Sequence, residues 1–229
     1  VEPLLQRIDL YDYDMLLANS KRKFVKKYDF IFQEGSPADY LYFIHKGEIR
    51  MFKEIGTHKE LTIFIRGAQD GFGEVGIFSG NCYSNSAQAT MDSTLYVIEK
   101  GEMESILAQN GKLGLHFTRW VAESLEASKA KIRDFLLFGS EGAVASIFIR
   151  YANMYGVVTP TGIRITEAVL IQDISKHIGI SRETVSRIVN KWKGQGVIGN
   201  DSKYFLIKDI AYFKKMLACD RCGVENCVI

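Results

Sequence analysis

EAVLIQDISKHIGISRETVSRIVNKWKGQGVI, residues 167–198, decides how the second half of the chain folds. Its apolar positions Leu170, Ile174, Ile178, Ile180, Val185, Ile188 and Val189 recur largely at the three- and four-residue steps of one helix face. The spacing predicts a helix over 167–178, a tight turn at Gly179, and a second helix capped by Ser181 and running to Lys193. This is a helix-turn-helix pattern, in which the apolar positions lock the two helices together. Arg182, Glu183, Ser186 and Arg187 are left on the outward face, near the start of the second helix. They suit the major groove of DNA, where arginine forks onto guanine, glutamate accepts from the amino group of cytosine, and serine serves either role. Lys191 and Lys193 behind them can meet phosphates, which position a protein without reading sequence. Charged residues on a helix are most often a solvated face. Here turn, cap and polar pattern occur together and in order.

Around this segment the chain reads as two modules. Downstream, NDSKYFLIKDI at 200–210 forms a strand pair, a small wing whose Lys203 can touch the DNA backbone. Upstream, EGAVASIFIRYANMYG at 141–156 is helical and stops at Gly156, and VVTPTGIRIT at 157–166 is a loop with one short strand. Before that, KLGLHFTRWVAESLEASKAKIRDFLLF at 112–138 places Leu113, Phe117, Trp120, Val121, Leu125, Ile132, Phe135 and Leu136 at helical steps, so it is one long amphipathic helix. Its stripe is more than one small domain covers, and a second copy would bury the rest, which points to a homodimer. Residues 24–99 carry short β-branched and aromatic runs broken by glycines, the mark of an antiparallel sandwich or roll. Within them Lys46-Gly47 is a turn between YLYFIH and EIRMF, in the manner of a hairpin. The fold class is therefore α+β.

Composition excludes little but agrees with this. With 47% hydrophobic and 24% charged residues and no long apolar run, the chain reads as a soluble protein without a membrane span. No secretion signal is legible in the first thirty residues, which points to the cytoplasm. Residues 161–229 hold 11 Lys/Arg and 7 Asp/Glu, a charge of +4 against −2 for the remainder, so the helix-turn-helix half is the basic half. No constellation of nucleophile, base and oxyanion donor stands out, so an enzyme is not expected.

CDRCGVENC, residues 219–227, gathers Cys219, Cys222 and Cys227, and Cys82 is the one other cysteine. In a reducing compartment such spacing favours metal or redox chemistry, because two thiols three positions apart can be presented to one centre. Taken alone, the array fits an iron-sulfur cluster, zinc, a reactive thiol pair such as Cys219 with Cys222, or a tail with no such role.

Taken together, these motifs resemble the CRP/FNR family of bacterial transcription regulators over nearly the whole chain. GEVGIF at 73–78 is similar to the family's GELGLF turn, and SRETVSRIV at 181–189 to its recognition helix. The resemblance implies a β-roll at 1–110, a dimerisation helix at 111–138, a winged helix-turn-helix at 139–215 and a cysteine-rich tail at 216–229. It implies a homodimer that reads a TGTGA-like inverted repeat, with TTGAT as the second choice, through Ser181, Arg182, Glu183, Ser186, Arg187 and Lys191, and that works with RNA polymerase as an activator. The stretch CYSNSAQA at 82–89 lacks the arginine that holds a cyclic phosphate in part of the family, which argues against a cyclic nucleotide unless Arg66 supplies the charge. The tail resembles FNR proteins of Bacillus and related bacteria, and this implies a 4Fe-4S cluster on Cys219, Cys222, Cys227 and an aspartate, matched here to Asp134; the alternative is a regulator of the same fold that senses a small organic effector or a thiol-disulfide state instead. Arg133 and Lys131 beside Asp134 offer it a plain ion pair instead. Cys82 is a rival fourth ligand, and His177 is expected to be half-buried and not a ligand.

Overall fold

A computed structural model of the chain describes residues 3–56, 59–222 and 227–229. They form two compact units, one of residues 3–53 and 62–123, the other of 124–222 and 227–229 with the described part of 54–61. Among the described residues, no helix is long and apolar enough to cross a membrane.

The first unit opens with a helix absent from the sequence reading, α1 (Leu10–Ala18), whose N-terminus is closed by the Asp9 carboxylate accepting from the Asp12 amide. Strands β1 (Lys21–Val25), β2 (Phe30–Phe32), β3 (Tyr40–Lys46), β4 (Glu48–Ile55), β5 (Lys59–Gly67) and β6 (Gly71–Phe72) follow. After a short helix α2 (Glu74–Ser79) come β7 (Ser86–Ala89), β8 (Ser93–Glu99) and helix α3 (Lys100–Gln109). The strands make two antiparallel four-stranded sheets, ordered β1-β8-β3-β6 and β2-β7-β4-β5. The turn at Gly47 is thus not a hairpin within a sheet, because β3 and β4 belong to different sheets and the turn carries the chain between them. Gly47 sits at φ 111°, and a Cβ there would collide with the Ser93 side chain. β3 lacks the alternation of a half-exposed strand because both its faces are covered. Tyr42 meets the rings of Phe32 and Phe72 on the inner side, while Phe43 lies edge-on to Phe117 of the helix that follows the roll.

That helix, α4 (Gly111–Leu137), is continuous over 27 residues. Its apolar stripe divides in two. Leu113, Phe117 and Trp120 are buried in the first unit, where the Asp70 carboxylate accepts from the Trp120 indole at 2.9 Å, from Arg66 at 3.0 Å and from the Leu4 amide at 3.2 Å. Val121, Leu125, Ile132 and Leu136 lie exposed, the last at 76%. Within the first unit the start of the stripe is thus covered.

The second unit continues from α4 into α5 (Gly139–Tyr155), the hairpin β9 (Gly156–Thr159) and β10 (Gly162–Ile165), then α6 (Ile171–Ile178) and α7 (Arg182–Gly194). Wing strands β11 (Ile198–Asp201) and β12 (Tyr204–Ile207), α8 (Ile210–Met216) and a 3₁₀ turn at Cys219–Arg221 complete it. The loop expected at 157–166 is thus a two-stranded hairpin, and β10 also pairs with β12 to join one sheet ordered β11-β12-β10-β9. The core is a cluster of rings, with Phe148 of α5 against Trp192 of α7, Phe205 of β12 and Phe213 of α8. Between α4 and α5 the corner is tight, since Gly139 is left-handed at φ 60° and a Cβ on Gly142 would collide with Cβ of Phe138. Of the expected tail, residues 223–226 lie outside the described residues.

Candidate functional site

Two groups of residues in the second unit are the candidates for functional chemistry. The first is the outward face of α7. Gly179 adopts a left-handed φ of 80° after α6, and Ser181 caps α7 by accepting from the Thr184 amide at 3.2 Å. Helix α6 is shorter than its periodicity suggests. It begins at Ile171 rather than at residue 167, because the Asp173 carboxylate accepts from the Leu170 amide and fixes the start there. Leu170, 62% exposed, consequently takes no part in locking the helices, whereas Ile174, Val185, Ile188 and Val189 are buried as expected. Arg182, Glu183, Ser186 and Arg187 line one open depression together with Asn190. Asn190 was missed by the sequence reading, although it lies one turn beyond Ser186 and is a type that pairs with adenine. The Glu183 carboxyl is held below its ordinary value by its own backbone amide and by the Ser181 hydroxyl, so it is an acceptor at neutral pH. Lys191 pairs with Glu141 at 2.7 Å. Both partners are about half exposed in that pair, which leaves the lysine able to exchange onto a phosphate.

The second group joins the end of α4 to the chain after α8. Asp134, 4% exposed, shares one cavity of about 20 Å³ with Cys219, Cys222, Cys227, Arg133, Arg150 and Ser146. The four residues expected to act as ligands are thus brought together across the whole length of the second unit. The carboxylate is fully engaged. Its Oδ1 accepts from Arg133 Nε at 3.1 Å and Nη2 at 2.7 Å, and its Oδ2 from the Ser146 hydroxyl at 2.7 Å, with Arg150 Nη2 at 3.5 Å. The plain ion pair expected with Arg133 is present. Lys131 is buried 2 positions before it, and burial next to the Arg150 cation pushes its amine down to about 7. Residues 227–229 lie on α5, where Asn153 Nδ2 donates to the Cys227 carbonyl at 2.7 Å and the Ile229 amide donates to Met154 Sδ at 3.3 Å.

None of the four cysteines forms a disulfide. Burial raises the Cys219 and Cys227 thiols; the Asp134 carboxylate adds to the rise at Cys219, while Arg150 opposes it at Cys227. Three sulfurs and a carboxylate are a donor set suited to a thiophilic metal centre or cluster, and in chemistry they fit such a group. In this arrangement the space between them holds about one water. Among the described residues, no three His, Cys, Asp or Glu side chains stand together as a ready site for one ion. Cys82, the rival ligand, is exposed in the first unit, where it bridges Pro37. His177 is more buried than expected, at 3%, and lies 2.8 Å from the Tyr151 hydroxyl. Arg66 is held by Asp70 and stacks near Trp120, so its charge already has a partner.

Comparison with known proteins agrees with this architecture. Residues 22–110 match a cyclic nucleotide-binding domain and residues 144–216 a Crp-like helix-turn-helix domain. The chain is 34% identical over 219 residues to the "Anaerobic regulatory protein" of Bacillus subtilis, covering 95% of this chain and 92% of that protein. It is 26% identical over 179 residues to a "CRP-like cAMP-activated global transcriptional regulator" of Mycobacterium tuberculosis, covering 78% and 80%. The fold is that of a CooA mutant from Carboxydothermus hydrogenoformans, with a TM-score of 0.80 at 19% identity, covering 94% and 95% of the two chains. The chain belongs to the CRP/FNR family and is a DNA-binding transcription regulator.

Proposed function

We propose that this regulator responds to oxygen through a 4Fe-4S cluster held by Cys219, Cys222, Cys227 and Asp134, and that the cluster governs its binding to DNA. One observation carries the reading: Asp134 and the three thiols, far from it in sequence, line one cavity at the junction of α4, α5 and the tail. The similarity to an anaerobic regulator over 95% of the chain supports it further. When bound, such a cluster supplies reactivity toward oxygen. The chain's own residues supply the rest. The thiols give up their protons on loading, Asp134 ties α4 to the site, and Asn153 and Met154 hold the far end of the tail on α5. A thiol-disulfide switch is the less favoured reading, since burial raises Cys219 and Cys227 and leaves them little of the thiolate that disulfide exchange requires.

The protein acts as a homodimer in the cytoplasm. A second copy would cover Val121, Leu125, Ile132 and Leu136 on α4, and two α7 helices would then meet half-sites about one helical turn apart. Arg182, Glu183, Ser186 and Arg187 suit a TGTGA-like half-site, and RNA polymerase is the further partner. Cyclic nucleotides are not its effector, because Arg66 is committed to Asp70. The test is anaerobic reconstitution with iron and sulfide, followed by titration onto a labelled TGTGA inverted repeat. Uptake of iron and sulfide with broad visible absorbance and tighter operator binding is expected, and Cys222→Ser should lose both. A wild-type protein that stays colourless and binds with unchanged affinity overturns the proposal.

A further inference from the structure

The two oxygens of Asp134 are held in different ways. Oδ2 faces α5, where Ser146 donates at 2.7 Å and Arg150 stands at 3.5 Å, and both of these side chains are almost wholly buried. Oδ1 is held by Arg133, whose side chain remains 27% exposed. The same Nη2 that binds Oδ1 at 2.7 Å also donates to the Leu217 carbonyl at 3.1 Å. Leu217 is 1% exposed and lies two positions before Cys219. One guanidinium therefore spans the carboxylate on α4 and the backbone that leads into the thiols. Arg150 is enclosed on all sides, whereas Arg133 has solvent into which it can rotate. Of the two cations on this carboxylate, Arg133 is the exchangeable one.

We infer that Arg133 is a latch: it competes with the metal centre for Asp134 and, through Leu217, holds the segment carrying Cys219 in its metal-free arrangement. The competition rests on the cluster reading above, while the hold on Leu217 stands without it. A carboxylate in a forked, charge-assisted pair is a strong acceptor already satisfied, and a metal that takes it must first displace the guanidinium. Arg133 is accordingly a positioning residue that sets how readily the centre is gained and lost. The opposite role is physically distinct. If Arg133 served instead as the counter-charge of a loaded site, removing it would make loading worse.

The experiment uses the full-length protein with Arg133→Ala and Arg133→Lys. The lysine keeps the charge but lacks the planar, pre-set fork that places one Nη2 between Oδ1 and the Leu217 carbonyl, and it serves in place of alanine if that variant does not fold. In the metal-free state under anaerobic conditions, amide hydrogen exchange across 215–222 is compared with the wild type. Both variants are expected to exchange several-fold faster there and unchanged in α7, and equal rates at 215–222 overturn the latch. In the second arm each protein is loaded with iron and sulfide, and the decay of visible absorbance is followed in air. Slower decay in Arg133→Ala is the expected result, and equal or faster decay overturns the competition. A wild-type protein that takes up no iron defeats the cluster reading and the competition with it, while the exchange rates still decide the hold on Leu217.

Discussion

The face of α7 and the cavity around Asp134 lie in the same unit and are built on opposite principles. On α7 the charged groups Arg182, Glu183 and Arg187 are solvated and line an open depression. Around Asp134 the carboxylate is enclosed, with both its oxygens accepting, and Arg150 behind it is fully buried. Groups of the first kind meet a ligand by shedding water, so they act as a fixed reading surface. Those of the second kind accept a new partner only by giving up an old one, which makes them suited to switching. A substitution on the outward face of α7 should therefore change DNA binding and spare stability, whereas one at the Asp134 carboxylate should change the stability of the metal-free protein itself.

Asp134→Ala breaks the comparison at its strongest point. It strands the Arg150 guanidinium in the interior and should destabilise the metal-free protein by about 3–5 kcal/mol, read by denaturant unfolding. An effect below about 1 kcal/mol would mean that the cavity is no more committed than an ordinary surface pair. Lys131 comes next. Its folded value near 7 lies below the ordinary 10.5, so from about pH 7 to 10.5 the unfolded chain binds more protons than the folded one. This group's cost is fully present below pH 7 and is relieved as the pH rises through that window. Lys131→Met should stabilise the protein at pH 6 by up to a few kcal/mol, at about 1.4 kcal/mol per pKa unit, and should flatten the rise in stability toward pH 10. A pH profile identical to the wild type would place the amine in water.

On the other side of the comparison, Arg187→Ala should cost about 1–3 kcal/mol at the cognate operator and little on random DNA. Its unfolding midpoint should stay unchanged, and equal losses on both DNAs would make Arg187 a phosphate contact. Ser181→Ala gives the smallest effect, about 1 kcal/mol of stability through the lost cap of α7, measured by thermal unfolding. If stability holds and only operator affinity falls, the hydroxyl serves DNA and not the helix.

What could be read from sequence follows the same division. The helix-turn-helix is a local object, and periodicity, Gly179 and Ser181 were enough to find it. The four-residue error at the start of α6 came from following apolar spacing past Asp173, whose carboxylate caps Leu170 and was itself a legible signal. Arg133 beside Asp134 was visible as a neighbour. Ser146 and Arg150 were not, because only the corner between α4 and α5 brings them onto the carboxylate, and nothing in their own surroundings marks them. The turn at Gly47 failed for a related reason, since a glycine turn between two strands looks alike whether it closes a hairpin or crosses between sheets. Helices α1, α3 and α8 were not singled out. The strength of the ring cluster around Phe148 likewise lay beyond periodicity, being assembled from α5, α7, α8 and β12.

The bend at Phe138 has one more effect on what the protein can become. Since position 142 tolerates no side chain without pushing Phe138 aside, the close approach at this elbow depends on a glycine there. A side chain added at 142 would therefore be felt beyond the corner itself, at the Asp134–Ser146 contact that the corner brings together.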